Sequence, residues 1–231
     1  STLFPYTTLF RSRDEAFQGC KHFTGNLTIP NSVTTIGSQA FFHCDGLTGN
    51  LTIGHSVTSI GYNAFRDCAG LTHLNFNAIN CADFENEYAA FPPFQNFTGT
   101  LSFGNLVQRI PAYMFNECSG FTGSLVIPSS VTSIGNRAFF KCSGFNSLYL
   151  GNSLTYIGVY AFYNCSGLSN ALTIPESVTT LDIYAFANCY QLQSVDIGSN
   201  VNTINYGGFY GCSGLSSITV RPETPPALGT P

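Results

Sequence analysis

The strongest constraint on this chain is a unit of about two dozen residues that recurs nine times. Each copy closes on an Ala-like residue, a Phe, two variable residues and a Cys-like position. The copies are Ala16, Phe17 and Cys20; Ala40, Phe41 and Cys44; Ala64, Phe65 and Cys68; Ala90, Phe91 and Phe94; Met114, Phe115 and Cys118; Ala138, Phe139 and Cys142; Ala161, Phe162 and Cys165; Ala185, Phe186 and Cys189; Gly208, Phe209 and Cys212. Successive Cys-like positions lie 24, 24, 26, 24, 24, 23, 24 and 23 residues apart. A single unit of this size cannot bury its own apolar face, so the period implies a solenoid of stacked coils.

Within a unit, Leu51, Thr52 and Ile53 alternate apolar, polar, apolar, which puts Leu51 and Ile53 on one face of a strand and Thr52 on the other. The same triplet returns through Val195, Asp196 and Ile197 to Ile218, Thr219 and Val220. One short strand per coil predicts a parallel sheet along the solenoid. A Pro or Gly follows seven of the nine triplets and ends the strand there, and a second short apolar pair follows, such as Val131 with Ile134. The Gly behind that pair (Gly37, Gly61, Gly135, Gly158) fits a positive φ or a close backbone approach. The block from Ala64 to Cys68 reads as a single helical turn with Phe65 and Cys68 inside. The fourth unit departs from the pattern: Phe94 stands at the Cys-like position, and residues 77–90 hold an insertion with Asn77, Cys81, Asp83, Glu85 and Glu87.

The chain is 44% hydrophobic but only 9% charged, against roughly 25% in an ordinary soluble domain. Its surface is therefore built from Ser, Thr, Asn and Gly. Lys and Arg are scattered singly and the net charge is −4, which excludes the phosphate-neutralising surface that nucleic acid requires. No run approaches the roughly 20 apolar residues of a membrane helix, so no membrane insertion is expected within the segment.

Residues 2–12 (TLFPYTTLFRS) resemble an in-frame translation of a short-read sequencing adapter, as would arise in a metagenomic fragment. Residues 1–12 are accordingly set aside as an artefactual segment. The repeat domain is taken as 13–221, and 222–231 as a Pro-rich exit or the start of a further repeat.

The units LTIPNSVTTIGSQAFFHC, LVIPSSVTSIGNRAFFKC and LTIPESVTTLDIYAFANC resemble the BspA-like class of leucine-rich repeats over roughly residues 14–221. That resemblance implies a right-handed leucine-rich-repeat solenoid of about nine coils in a secreted or cell-surface protein. It also implies adhesion to host or microbial proteins or glycans, and it transfers no catalytic residues.

Eight cysteines, Cys20, Cys44, Cys68, Cys118, Cys142, Cys165, Cys189 and Cys212, share one inward column. Parallel inward Cβ vectors leave neighbouring thiols too far apart to bridge, so they read as buried free thiols acting as small hydrophobes. Cys81 lies off the column and reads as the one thiol open to reaction or bridging. Cys20, His22, His43 and Cys44 carry zinc-type donors, but the histidines sit at different phases of the repeat and need not converge. Asp83, Glu85 and Glu87 read as a solvated loop without a calcium-loop pattern. No cofactor or metal is expected.

No nucleophile elbow, phosphate loop or zinc-hydrolase motif is present. Asp196 is the only acid among the outward strand positions, short of the carboxylate pair that glycoside hydrolysis uses. The segment therefore reads as non-enzymatic. The outward column Thr28, Thr52, Asn75, Ser102, Val126, Tyr149, Thr173, Asp196 and Thr219 is the face on which a solenoid presents a ligand surface, with Tyr149 its best anchor. The expected function is an extracellular binding module. The alternatives are a passive stalk for another domain, or a repeat region attached to a secreted hydrolase.

Overall fold

The computed structural model describes residues 10–84, 92–221 and 227–229. Nine first strands enclose about eight turns of a parallel β-solenoid: Gly25–Ile29, Leu47–Ile53, Leu71–Phe76, Thr100–Phe103, Gly123–Val126, Phe145–Tyr149, Leu172–Ile174, Ser194–Ile197 and Ser217–Val220. They form three parallel sheets of four, two and three strands, paired residue for residue as Leu51 with Leu74 and Val195 with Ile218, and the single sheet expected is interrupted between Thr100–Phe103 and Gly123–Val126 and between Phe145–Tyr149 and Leu172–Ile174. Alternation decides what is buried: Leu51, Ile53, Leu74, Phe76, Leu172, Ile174, Val195 and Ile197 are at most 2% exposed. On the last strand, which among the described residues has a strand neighbour on one side only, Ile218 and Val220 lie open. Burial here comes from stacking rather than from the coil itself.

A second set of short strands forms another wall. Phe10–Arg11, Val33–Ile36 and Ser59–Ile60 make one sheet; Arg109–Ile110, Ser133–Ile134, Tyr156–Ile157, Thr180–Leu181, Thr203–Ile204 and Ala227–Leu228 make the next. Residues 10–12 thus continue the ladder, with Ser12 N–H donating to Thr35 O at 2.9 Å. The glycines behind these strands are there for close approach: none of Gly37, Gly61, Gly135 and Gly158 has a positive φ, and a Cβ on Gly135 would fall 2.5 Å from Ala112 N.

The expected helical turn is absent, and no helix occurs among the described residues. The residues before Ala and before Cys are left-handed instead, as at Gln39 (φ 54°) and His43 (φ 55°). Right-handed and left-handed residues in alternation turn successive peptide groups in different directions, which interrupts the helical ladder. Within the block, Ala40, Phe42 and Cys44 N–H donate three residues back, to Gly37, Gln39 and Phe41 O. Gln39, Phe41 and His43 N–H donate to Tyr62, Ala64 and Arg66 O of the next coil. The turns therefore stack by backbone hydrogen bonds much as the strands do.

Inside runs an unbroken ladder of rings. Phe17, Phe41, Phe65, Phe94, Phe115, Phe139, Phe162, Phe186 and Phe209 stack with centroids 5.0–5.5 Å apart and planes within 22°. This corrects the expected register of the fourth coil. Phe94 is not a substitute in the thiol column; it occupies the Phe column, and Phe65 N–H donates to Pro93 O as Phe41 N–H does to Ala64 O. Pro93 thus takes the place of Ala64. The insertion is six residues, because Leu74 to Pro93 is 19 positions and Leu51 to Ala64 is 13. The following turn is three shorter, since Phe94 to Phe97 is 3 positions where Phe65 to Leu71 is 6. The missing tripeptide is the one that carries the thiol, Cys68 to Gly70, in the coil before. Ala90, Phe91, Glu85 and Glu87 lie outside the described residues.

The described part of the insertion, residues 77–84, belongs to the wall and is not a solvated loop. Ile79 and Ala82 N–H donate to His55 and Thr58 O of the coil before, and Gln108 N–H of the coil after donates to Ile79 O. Ala78, Cys81 and Phe84 are buried. Asp83 accepts from Ala112 N at 2.8 Å and pairs with Arg109.

Candidate functional site

All nine cysteines are free. Cys44, Cys68, Cys118, Cys142, Cys165 and Cys189 are buried, while Cys20 and Cys212, in the outermost thiol-bearing turns, are half-buried. The thiols also form a hydrogen-bond ladder that the spacing alone does not disclose. The Sγ–H of Cys44, Cys68, Cys142, Cys165, Cys189 and Cys212 donates to the column-Phe carbonyl of the coil before, at 3.0–3.3 Å. Cys118 follows the shortened turn and contacts Asn116 O at 3.7 Å instead.

Burial pushes the Cys44 thiol up to about 11 and those of Cys68 and Cys81 up to about 12. The thiolate needed for nucleophilic attack or metal ligation is suppressed there. Cys81, expected as the reactive thiol, is fully buried. Desolvation outweighs the nearby Arg109 charge, which acts the other way.

The outward column of the first strands divides into three stretches. Thr52, Asn75 and Ser102 are half-buried and tied together: Ser102 Oγ donates to Asn75 Oδ1 at 2.7 Å, and Asn75 Nδ2 to Thr52 Oγ1 at 3.4 Å. His73 joins them, its Nε2 2.8 Å from Asn75 Oδ1 and 3.1 Å from Ser102 Oγ, its Nδ1 against Thr100 Oγ1. With Asn75 Oδ1 as acceptor, the network assigns the ring proton to Nε2 and the Thr100 hydroxyl proton to Nδ1. Ser102 then has no free imidazole lone pair beside it. The trio is arranged as a fixed hydrogen-bonding patch, not as a nucleophile with its base.

Val126 and Tyr149 form the second stretch. They are register partners on adjacent strands and are 52% and 55% exposed. Their side chains share the outward face while Leu125 and Leu148 beside them are buried. The third stretch holds exposed Thr173 and Thr219, with Asp196 between them in register. Asp196 is paired with Arg221 through both guanidinium Nε, at 3.0 Å, and Nη2. Thr28, at the other end, is exposed.

Two features escaped the sequence reading. At the interruption of the second wall lies a cleft of about 560 Å3 lined by Ser59, Tyr62, Asp83, Phe84 and Arg109 among others. On the turns, aromatic residues of neighbouring coils stack at the surface, Phe140 on Tyr163 at 5.1 Å and Tyr160 on Tyr184 at 5.2 Å. Reading down the residue before the Ala-like position would have found part of this edge, because it runs Tyr113, Arg137, Tyr160, Tyr184. No group of metal-ligating side chains converges among the described residues, and His22 and His43 do not join the thiols. No helix there is long and apolar enough to cross a membrane.

The family model for BspA-type leucine-rich repeat regions matches residues 12–122 and 108–225, with six copies. Among solved structures, a leucine-rich cell surface protein from Faecalibacterium prausnitzii A2-165 is 24% identical with a TM-score of 0.53, over 95% of this chain and 67% of that one. A leucine-rich repeat protein from Bacteroides ovatus is 22% identical with a TM-score of 0.54, over 90% of this chain and 63% of that one. Both likenesses concern the fold, and this chain spans about two thirds of their length or less. No curated protein matches it.

Proposed function

The chain belongs to the BspA-type leucine-rich-repeat family, and from that premise we propose that it is a non-enzymatic binding module of an extracellular or cell-surface protein. It adheres to a host or microbial protein or glycan through the outward face of its first strands. The observation that carries this reading is the adjacent pair Val126 and Tyr149, both more than half exposed near the middle of that face. An apolar and aromatic anchor inside a polar rim is the usual anatomy of a binding patch. Here the rim is Thr52, Asn75 and Ser102 on one side and Thr173, Asp196 and Thr219 on the other. The surface placement of the similar Faecalibacterium protein supports the location.

The test is capture of the purified chain on immobilised matrix proteins and mucosal glycans. Tyr149→Ala is expected to weaken a captured partner by about tenfold or more, the scale of a hot-spot residue. Asp196→Ala is expected to cost less, since its charge is already paired with Arg221 on an exposed surface. Capture that both variants leave unchanged would refute docking on this face. A chain that captures nothing would favour the passive stalk.

A further inference from the structure

The interruption of the second wall opens a strand edge in the middle of the solenoid. Elsewhere along that wall the carbonyl of the last strand residue accepts from the coil after. Ile36 O takes Gly61 N–H at 2.8 Å, Ile110 O takes Gly135 N–H at 2.9 Å, Ile134 O takes Gly158 N–H at 3.0 Å and Ile157 O takes Asp182 N–H at 3.2 Å. Ile60 stands in register with Ile36, so by the repeat its own N–H and C=O turn together toward the coil after. On that side neither group has a backbone partner among the described residues.

The insertion is the reason. It pairs with the coil before as far as Ala82, whose N–H donates to Thr58 O at 2.8 Å. Phe84 N–H then turns away and donates to Ala112 O of the coil after at 2.9 Å. On the far side of the gap, Pro111 stands where Gly61 and Gly135 follow their strands and has no N–H to offer. The open groups therefore belong to the Ser59–Ile60 edge alone. Ile60 is only 5% exposed, and backbone groups shielded in this way call for a partner.

Ile60 lines the cleft of about 560 Å3 with Ser38, Ser59, Tyr62, Phe84 and Arg109. Phe84 is buried and Tyr62 is exposed, which gives the cleft an apolar wall and an aromatic rim. The charges at its mouth are already matched, since Asp83 pairs with Arg109 and also accepts from Ala112 N–H at 2.8 Å. An uncharged occupant is favoured on that ground. The N–H and C=O of one strand residue, side by side, match the C=O and N–H that an extended peptide carries at fixed spacing along its edge. Sugar hydroxyls are not held to that spacing.

We propose that the Ser59–Ile60 edge is a docking site for an extended, uncharged peptide segment of a partner protein, which adds as a wall strand. Ile60 N–H and C=O are its hydrogen-bonding anchor, and Phe84 and Tyr62 pack against its apolar side chains. The site is separate from the first-strand face and from Tyr149.

The experiment follows amide hydrogen exchange in the whole isotope-labelled chain by nuclear magnetic resonance, with and without the blocked peptide acetyl-Thr-Val-Thr-Val-Thr-amide. In the free chain the Ile60 amide is expected to exchange about tenfold or more faster than that of Ile134, whose strand is paired on both sides. The peptide is expected to slow Ile60 exchange by about tenfold or more. The fully N-methylated peptide, with the same side chains and no N–H, and dextran are expected to leave it unchanged. Salt should alter the affinity by less than about twofold. Tyr62→Ala is expected to weaken peptide binding about threefold or more, with Tyr149→Ala unchanged.

An Ile60 amide as slow as that of Ile134 in the free chain would show the edge already paired and overturn the proposal. No effect of the peptide, or an equal effect of its N-methylated form or of dextran, would also overturn it. Loss of peptide binding in Tyr149→Ala but not in Tyr62→Ala would move the peptide to the first-strand face and overturn this site. The N-methylated peptide tests the hydrogen bonds on the parent chain, so the outcome stands even if Tyr62→Ala fails to fold.

Discussion

Replacing Phe139 by Ala measures how far the solenoid depends on neighbouring coils. Phe139 is fully buried, lies parallel to Phe115 and Phe162 at 5.3 Å on either side, and meets Phe103 and Phe145 edge-on. Truncating a buried Phe costs about 3–5 kcal/mol, and an aromatic pair contributes about 0.5–1.5 kcal/mol beyond area. The two flanking stacks place Phe139→Ala at the upper end, near 5 kcal/mol. Phe209 has the same position in its unit but, among the described residues, one stacked neighbour, Phe186 at 5.5 Å, and is half-buried. Its truncation should cost about half as much, roughly 2 kcal/mol. Urea unfolding followed by far-ultraviolet circular dichroism gives both values. Because coils couple only to neighbours, Phe139→Ala should also broaden the transition as the two halves separate. Equal costs at the two positions, with sharp transitions for both, would refute the argument that burial is supplied by the adjacent coil.

Gly135→Ala is expected to destabilise by more than about 1 kcal/mol, since the new Cβ meets Ala112 backbone at 2.5 Å; a thermal melt unchanged from the parent would contradict the close-approach reading. Cys68 and Cys81 should resist a thiol reagent at pH 8 in the folded chain and react after unfolding, as their thiols are held far above the ordinary value; mass spectrometry reads which cysteine is labelled. The same shifts make stability pH-dependent. The folded thiols of Cys44, Cys68 and Cys81 titrate near 11 to 12 against 9.0 for an unperturbed thiol, so the unfolded chain loses protons first as pH rises. Their contribution is complete below pH 9 and is withdrawn between 9 and 12, by at most about 1.4 kcal/mol per unit for each thiol. A urea midpoint that stays level from pH 8 to 11 would count against it. Cys142→Ser should destabilise by about 1–3 kcal/mol, because a more polar hydroxyl replaces a thiol in a dry column even where it still reaches Phe115 O.

How far the sequence discloses this molecule depends on whether a residue's role repeats. The inward columns were legible because Leu51 and Ile53, or Phe65 and Cys68, recur in nearly every unit and are apolar for one physical reason. The left-handed turn positions carry Gln39, Asn63, Tyr113, Arg137 and Gly207, so side-chain identity does not report a conformation fixed by hydrogen bonds to the next coil. The register of the fourth coil was hidden by compensation. A six-residue gain before Pro93 and a three-residue loss after Phe94 leave a net offset of three, which mimics a simple insertion with Phe in the thiol column. The ring stack, in which Phe94 lies 5.5 Å from both Phe65 and Phe115, and the Phe65 N–H bond to Pro93 O separate the two. Cys118 is the first thiol after the shortened turn, and the thiol-to-carbonyl ladder is interrupted there and resumes at Cys142. The Phe column tolerates no such break, because a missing ring would leave a void between two others, whereas a missing thiol leaves only one carbonyl without its usual weak thiol donor. The ring ladder is therefore the continuous element of this core, and the thiol column is subordinate to it.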